Sequence, residues 1–185
     1  IIALAPHFIG LNMGGIRVAY EYPGTASVYS RQKNPVLERV FLKARMRFGD
    51  PHLVSRQEGL RSIVRVIRSG KPFYFLPDMD FGPRDAIFST FFGVKTATIT
   101  TLPRLAQLTK AAVIPVVTRQ VGDGYVVRFY PEWKDYPTGD IEADVRRMNA
   151  FIEDRVREMP EQYFWAHKRF KTRPPGEPSP YHKPK

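Results

Sequence analysis

The sequence predicts a single-domain α/β fold, a mostly parallel mixed sheet flanked by helices. Three observations predict it. Short apolar runs at residues 1–5, 72–77 and 112–119 read as strands buried on both faces. Longer stretches with apolar residues three and four apart read as amphipathic helices. The two kinds alternate along 185 residues with no repeat and no internal linker, the order expected of strand–helix–strand crossovers in a chain of one-domain size.

Each element has a local cause. Residues 1–5 form the first strand, broken by Pro6. Phe8, Leu11, Ile16 and Ala19 then recur at roughly helical spacing to residue 20. Gly10, Gly14 and Gly15 weaken that helix and allow close approach of another backbone or a ligand. Residues 22–25 are a turn, and 26–30 a short strand. Asn34 and Pro35 open the next helix as N-cap and first-turn residue. Val36, Leu37, Val40, Phe41 and Ala44 form its apolar side, and Gly49 closes it. A helix over 57–69 packs Leu60, Ile63, Val64 and Ile67. Residues 87–93 and 94–99 read as two short strands, or as a strand and an irregular arm. Residues 101–110 read as a helix, and 125–130 as a strand returning from the turn at Gly122-Asp123-Gly124. Asp140 caps a long helix to about residue 159, with Val145, Met148, Phe151, Ile152 and Val156 inward. Residues 161–167 read as a short helix carrying Tyr163, Phe164 and Trp165. The domain spans residues 1–173, and the proline-rich residues 174–185 read as a tail.

Composition narrows the chemistry. Apolar residues make up 43% of the chain, as in globular domains and unlike disordered ones. No window nears the roughly 18 consecutive apolar residues that span a bilayer. No signal peptide is recognisable; a chain that opens inside a strand reads as a fragment, with any N-terminal anchor upstream. Without cysteine there are no disulfides, thiolate nucleophiles or cysteine-bound zinc. The net charge of +11 points to an anionic partner: nucleic acid, an anionic membrane face, or an acidic or phosphorylated substrate. No helix-turn-helix, ribonucleoprotein or zinc-finger signature accompanies that charge.

Two loops follow buried strands, where the sites of open α/β sheets lie. The first presents His7. A histidine there acts as a general base if a second group orients its other ring nitrogen; taken alone, it reads more simply as a hydrogen-bonded core histidine. The second loop is Asp78-Met79-Asp80-Phe81-Gly82. Two carboxylates two residues apart suit substrate positioning, a Mg²⁺ site, or a capped turn whose Asp side chains accept from backbone amides. Further metal ligands are not evident, so neither metal nor cofactor is expected. Asp80-Phe81-Gly82 lacks the Gly-rich and catalytic loops of a kinase.

Taken together, these residues resemble a known family. His7-Phe8, with four residues before position 12, resembles the H-x4-D/E motif of the lysophospholipid-type acyltransferases. The nearest branch is the late acyltransferases of bacterial lipid A biosynthesis, the lauroyl and myristoyl transferases. Ser30-Arg31 with Asn34-Pro35 resembles that branch's second block. Residues 73–82 followed by Phe91-Phe92-Gly93 resemble the third, and residues 111–116 the fourth. Glu161-Gln162-Tyr163-Phe164-Trp165 with Lys168-Arg169-Phe170-Lys171 resembles its C-terminal signature. The ordered set covers nearly the whole chain and is far more specific than the first motif alone.

The resemblance implies a glycerolipid-acyltransferase-like fold. It implies transfer of a fatty acyl group from acyl carrier protein to a hydroxyl of a phosphorylated glycolipid acceptor, a lipid A precursor, at the cytoplasmic face of the bacterial inner membrane. His7 would be the base and position 12 its partner. Arg31, Asn34, Asp78, Asp80, Phe81 and Gly82 would bind substrate, with backbone amides of the second loop facing the oxyanion. An anionic membrane surface is a further implied partner; nucleic acid is not. One alternative keeps the chemistry and changes the acceptor to another lipid, such as a lysophospholipid. The other is a non-catalytic basic module that binds anionic lipid or nucleic acid.

Position 12 departs from the pattern. A carboxylate there would orient His7 and stabilise the imidazolium; Asn12 carries no charge and can favour the wrong tautomer. In the serine-protease triad the same change lowers kcat by about 10⁴. Three explanations stand: an engineered inactive chain, a natural chain with weakened or lost activity, or another carboxylate, Asp78 or Asp80, that reaches His7. The first two are expected over the third. On that expectation Asn12→Asp raises acyl transfer by orders of magnitude, and His7→Ala abolishes it.

Overall fold

The structure is a computed structural model that describes residues 1–181. At its centre the strand β1 (Ile2–Leu4) lies fully buried, parallel to β4 (Phe73–Phe75) on one side and to β7 (Val113–Val121) on the other. Beyond β4 the sheet continues in parallel through β2 (Ala26–Tyr29) and β3 (His52–Ser55). Beyond β7 it ends with β8 (Gly124–Phe129), which is antiparallel. The order is therefore β3-β2-β4-β1-β7-β8, the mostly parallel mixed sheet that the sequence predicts. A separate antiparallel hairpin is made by β5 (Ala86–Phe91) and β6 (Val94–Ile99).

The helices are α1 (Leu11–Glu21), α2 (Pro35–Arg45), α3 (Leu60–Arg68), α4 (Thr101–Thr109) and α5 (Ile141–Glu158). Side chains alternate across a strand, so the central strands feed two cores. Ile2, Leu4, Phe73, Phe75 and Val113 pack with Ile63 of α3, Leu102 and Leu105 of α4, and Met148 and Ile152 of α5. Ala3, Ala5, Tyr74 and Val116 face the other way, against Val18 of α1. That second core is thin because α1 lies close to the sheet. A Cβ on Gly14 would stand 1.9 Å from Thr118 Oγ1, so glycine sets the spacing. Gly49 has the same role after α2: with φ +72° and a would-be Cβ 1.9 Å from the Ala19 carbonyl oxygen, it fits the chain against the end of α1.

Four sequence expectations need correction. Strand β3 goes unread because His52-Leu53-Val54-Ser55 is short and has one polar residue at each end. The helix α2 begins as expected, with Asn34 Oδ1 accepting from the Val36 and Leu37 N–H groups, but its apolar side stays largely exposed. No residue of α2 is buried; Val36 is 69% exposed and Val40 55%, and Leu37 and Phe41 are exposed beside them. Residues 161–167 do not form a helix. One tight turn, Pro160–Gln162, leads into an extended Tyr163 that bridges to Phe8. The start of the expected tail folds back: Arg173 binds the Lys95 carbonyl oxygen and Glu177, and the Tyr181 hydroxyl accepts from the Phe170 N–H. Residues 182–185 of that tail lie outside the described residues. Among the described residues, no helix is long and apolar enough to cross a membrane.

Candidate active site

The register of two strands builds the site. Leu4 of β1 pairs with Phe75 of β4, and each chain runs three residues further before presenting its polar side chain. His7 and Asp78 therefore emerge side by side at the same sheet edge. The Asp78 carboxylate contacts His7 twice: Oδ1 lies 2.6 Å from the ring Nδ1, and Oδ2 accepts from the His7 backbone N–H at 2.9 Å. The Tyr163 hydroxyl donates to the same Oδ2 at 3.0 Å. The His7 carbonyl oxygen accepts from the Phe164 N–H, and the Phe164 ring stacks beside the imidazole. The histidine is thus fixed at its main chain and at one ring nitrogen, leaving Nε2 without a partner among the described residues.

The electrostatics follow from burial. Asp78 is 1% exposed and His7 15%. Burial pulls the imidazole pKa down, but the adjacent Asp78 charge and its hydrogen bond outweigh that and hold it above its ordinary value. Burial also pushes the Asp78 carboxyl up; the His7 charge, the two His7 hydrogen bonds and the Tyr163 hydroxyl together hold it below. The Tyr163 phenol is raised well above its usual range by burial and by the carboxylate it serves, so it stays protonated and keeps donating. A carboxylate that accepts the hydrogen bond from Nδ1–H fixes the imidazole tautomer in which Nε2 is the free base.

His7 opens onto a cavity of about 760 Å³ with a largely apolar lining that includes Leu11, Ile16, Val28 and Ile63. Asn12, Met79, Phe81 and Arg84 line it as well, so the two loops singled out in the sequence share one space. Asn12 is exposed on α1 and makes no hydrogen bond to His7 among the described residues. Of the three explanations for Asn12, the geometry carries the one ranked last: another carboxylate, Asp78, reaches the histidine. Position 78 follows β4 as position 7 follows β1, and the adjacency of those two strands is what brings the side chains together.

The other expected substrate residues are placed unevenly. Phe81 lines the cavity, with the Arg56 guanidinium 4.2 Å over its ring. Arg31 is exposed and does not line the cavity, and Asn34 spends its side chain as the α2 cap. Asp80 is buried and fully engaged: Oδ1 accepts from the Gly82 N–H and the Thr172 hydroxyl, and Oδ2 from the Thr172 N–H. Gly82 adopts φ +91°, which lets the chain turn under that carboxylate. The two carboxylates of the Asp-x-Asp pair thus face different donors. Asp80 and Gly82 also spend their N–H groups, on His167 Nε2 and Asp80 itself, while Met79 and Phe81, on either side of Asp80, line the cavity.

Three residues of the C-terminal signature carry roles that the sequence does not reveal. Tyr163 orients Asp78. His167 accepts the Asp80 N–H at 2.7 Å; burial and the nearby Lys171 charge lower its pKa, so it stays neutral and able to accept. Arg169 is 1% exposed and clamps the β6 strand, donating to the Ala97 carbonyl oxygen and the Thr98 hydroxyl at 2.7 Å each. The signal was the dense run of aromatic and basic residues itself, which reads as a short helix until the β-bridge to Phe8 shows Tyr163 extended.

Comparison with known proteins decides the kinship. The family described as bacterial lipid A biosynthesis acyltransferase matches residues 1–172. The chain belongs to this family. It is 33% identical over 184 residues to the lipid A biosynthesis lauroyltransferase of Escherichia coli strain K12, covering 98% of this chain and 59% of that protein. The palmitoleoyltransferase of the same organism is 35% identical, with the same coverage. Its myristoyltransferase is 33% identical over 183 residues, 98% of this chain and 56% of the relative. The chain therefore spans less than two thirds of the length of these lipid A acyltransferases.

Proposed function

We propose that the chain catalyses transfer of a fatty acyl group from acyl carrier protein to a hydroxyl of a lipid A precursor, with His7 as general base. The observation that carries this is the His7–Asp78 pair, buried behind the imidazole and open at Nε2 onto a largely apolar cavity. His7 Nε2 takes the proton of the acceptor hydroxyl as its oxygen attacks the thioester carbonyl carbon. The carbon–sulfur bond then breaks, and the departing thiolate receives that proton from the imidazolium. Asp78 stabilises the imidazolium in between, and the Met79 and Phe81 N–H groups are candidates for the oxyanion. No acyl-enzyme is required, in keeping with a chain that has no cysteine. Asn12 need not impair this chemistry, because the orienting charge comes from elsewhere.

The partners follow from charge and exposed apolar surface. An acidic carrier, a phosphorylated acceptor and an anionic leaflet all suit a net charge of +11. The exposed apolar side of α2, with Arg39 and Lys43 on the same helix, has the composition of a helix that lies in an anionic lipid interface. On this reading the working surface is the cytoplasmic face of the inner membrane, and the exposed apolar side of α2 supports contact with lipid.

The test is transfer of a labelled acyl chain from purified acyl carrier protein to a lipid A precursor and, in parallel, to a lysophospholipid. Product on the first acceptor that vanishes in His7→Ala supports the proposal. Product on the lysophospholipid alone moves the acceptor, and unchanged activity in His7→Ala removes the base assignment.

A further inference from the structure

Five arginines elsewhere on this molecule have acidic partners among the described residues. Arg17 pairs with Glu21, Arg146 with Glu153, Arg155 with Glu158, Arg157 with Asp154 and Arg173 with Glu177. The three arginines that line the His7 cavity, Arg45, Arg56 and Arg84, have none among the described residues. They come from three separate places in the chain: the last turn of α2, the turn after β3, and the loop after Gly82. One carboxylate shares the cavity with them, that of Asp85. Glu58, close in sequence to Arg56, is turned away to accept the Ser55 N–H at 2.7 Å. Three guanidinium groups against the one lining carboxylate give the cavity wall an excess of positive charge.

We propose that Arg45, Arg56 and Arg84 form an anion site at the His7 cavity that takes a phosphate group. The chemistry is that of planar, permanently charged donors, which hold phosphate oxygens in pairs of charge-assisted hydrogen bonds. Arg56 is held in place before any ligand arrives: its guanidinium lies over Phe81, which leaves its N–H edges free while restricting the side chain. Gathering like charges around a low-polarity cavity costs free energy that a bound anion offsets. The site differs from Arg31, which lies outside the cavity.

On the acyl-transfer reading, on which this inference rests for the origin of the phosphate, two sources bring one to this point. One is a phosphate on the acylated glucosamine acceptor, and the other is the phosphodiester that joins pantetheine to the carrier. The site itself needs neither activity nor carrier to be detected.

Two measurements test it. The first is calorimetric binding of an N-acylated glucosamine 1-phosphate and of the same compound without phosphate, to the full chain and to Arg56→Gln, Arg84→Gln and Arg31→Gln. The expected result is at least about tenfold tighter binding of the phosphorylated compound, a preference lost in Arg56→Gln and Arg84→Gln and kept in Arg31→Gln. Equal binding of the two compounds by the unaltered chain overturns the acceptor source. The second measurement compares acyl-phosphopantetheine with acyl-pantetheine as donor: a KM that rises in the Arg56 and Arg84 variants only for the phosphorylated donor assigns the site to the carrier. If neither phosphate makes a difference, the anion site is wrong. If binding shows the preference while acyl transfer is absent, the site stands and the acyl-transfer reading falls.

Discussion

Asp78 holds His7 by two oxygens, one on the imidazole Nδ1 and one on the backbone N–H, so the carboxylate fixes the ring and the loop that carries it together. Replacing Asp78 by Asn removes the charge and can turn the imidazole into the wrong tautomer. On the scale of the same substitution in the serine-protease triad, about 10⁴-fold, we expect kcat for acyl transfer to fall by three to four orders of magnitude. A loss smaller than about tenfold would show that Asp78 does not orient the base.

Asn12→Asp, by contrast, is expected to give little. The side chain is exposed and makes no hydrogen bond to His7, and an exposed charge pair contributes about 1 kcal/mol at most, which is about fivefold in rate. This reverses what the H-x4-D/E motif alone predicts. Steady-state kinetics of the single variant decide between them: a gain of several hundredfold would restore position 12 as the partner of His7.

The pH dependence has a definite sign. On the proposed mechanism His7 acts as a base only when neutral, and its pKa is held above 6.5, so kcat/KM should fall as the pH drops through a value above 6.5. In Asp78→Asn, burial acts without the opposing charge, and the acidic limb should move below 6.5. Stability reports the same pair differently. The His7 share is fully present below 6.5 and is lost as the pH rises through its raised pKa. The Asp78 share is present above 3.8 and is lost as the pH falls through its lowered pKa. The difference in Tm between the unaltered chain and Asp78→Asn should therefore be greatest between pH 3.8 and 6.5.

Tyr163→Phe keeps the packing against Phe8 and removes one hydrogen bond to a buried carboxylate. Hydrogen bonds to charged groups contribute about 1.5–3 kcal/mol, so a loss of roughly ten- to a hundredfold in kcat is expected with KM little changed. The acidic limb of the pH profile should move up at the same time, because the weaker hydrogen bonding leaves Asp78 more negative toward His7. A fall in Tm with kcat and the pH limb unmoved would make Tyr163 a packing residue only.

Val40→Asp and Phe41→Asp probe α2. Both side chains are exposed, so the fold should hold, while binding to vesicles of mixed phosphatidylcholine and phosphatidylglycerol should weaken at least tenfold. Circular dichroism checks the fold and co-sedimentation the binding. Unchanged sedimentation would mean that this helix face meets something other than lipid.

Most of the fold was legible because the central strands are apolar on both faces and two of the helices have clear side-chain caps. Asn34 and Asp140 sit at the N-caps where their residue types place them. The site was half legible. His7 and the Asp78 loop could be read from their positions after buried strands, but their pairing depends on which strands are neighbours, and β1 adjoins β4 rather than β2. Local pattern does not encode strand order. Arg31 and Asn34 were read as substrate residues from a motif, whereas the structure commits Asn34 to the helix cap and leaves Arg31 outside the cavity. Tyr163 was hidden for a related reason: its role requires the chain end to return across the mouth of the sheet, a contact between positions 85 residues apart.

That long-range return has a consequence for how the protein is made. The base and its carboxylate lie 71 residues apart and meet only when β1 and β4 have paired in parallel at the correct register. Pairing of this kind forms late, because the intervening chain must be closed into a loop first. During refolding from denaturant, helical signal should return ahead of the cross-strand site, and a chain arrested between the two would look structured yet hold a histidine with nothing behind it. A slip of one residue would turn β1 over and send His7 to the opposite side of the sheet. Competence here is thus a property of the finished topology, acquired in a single closing step.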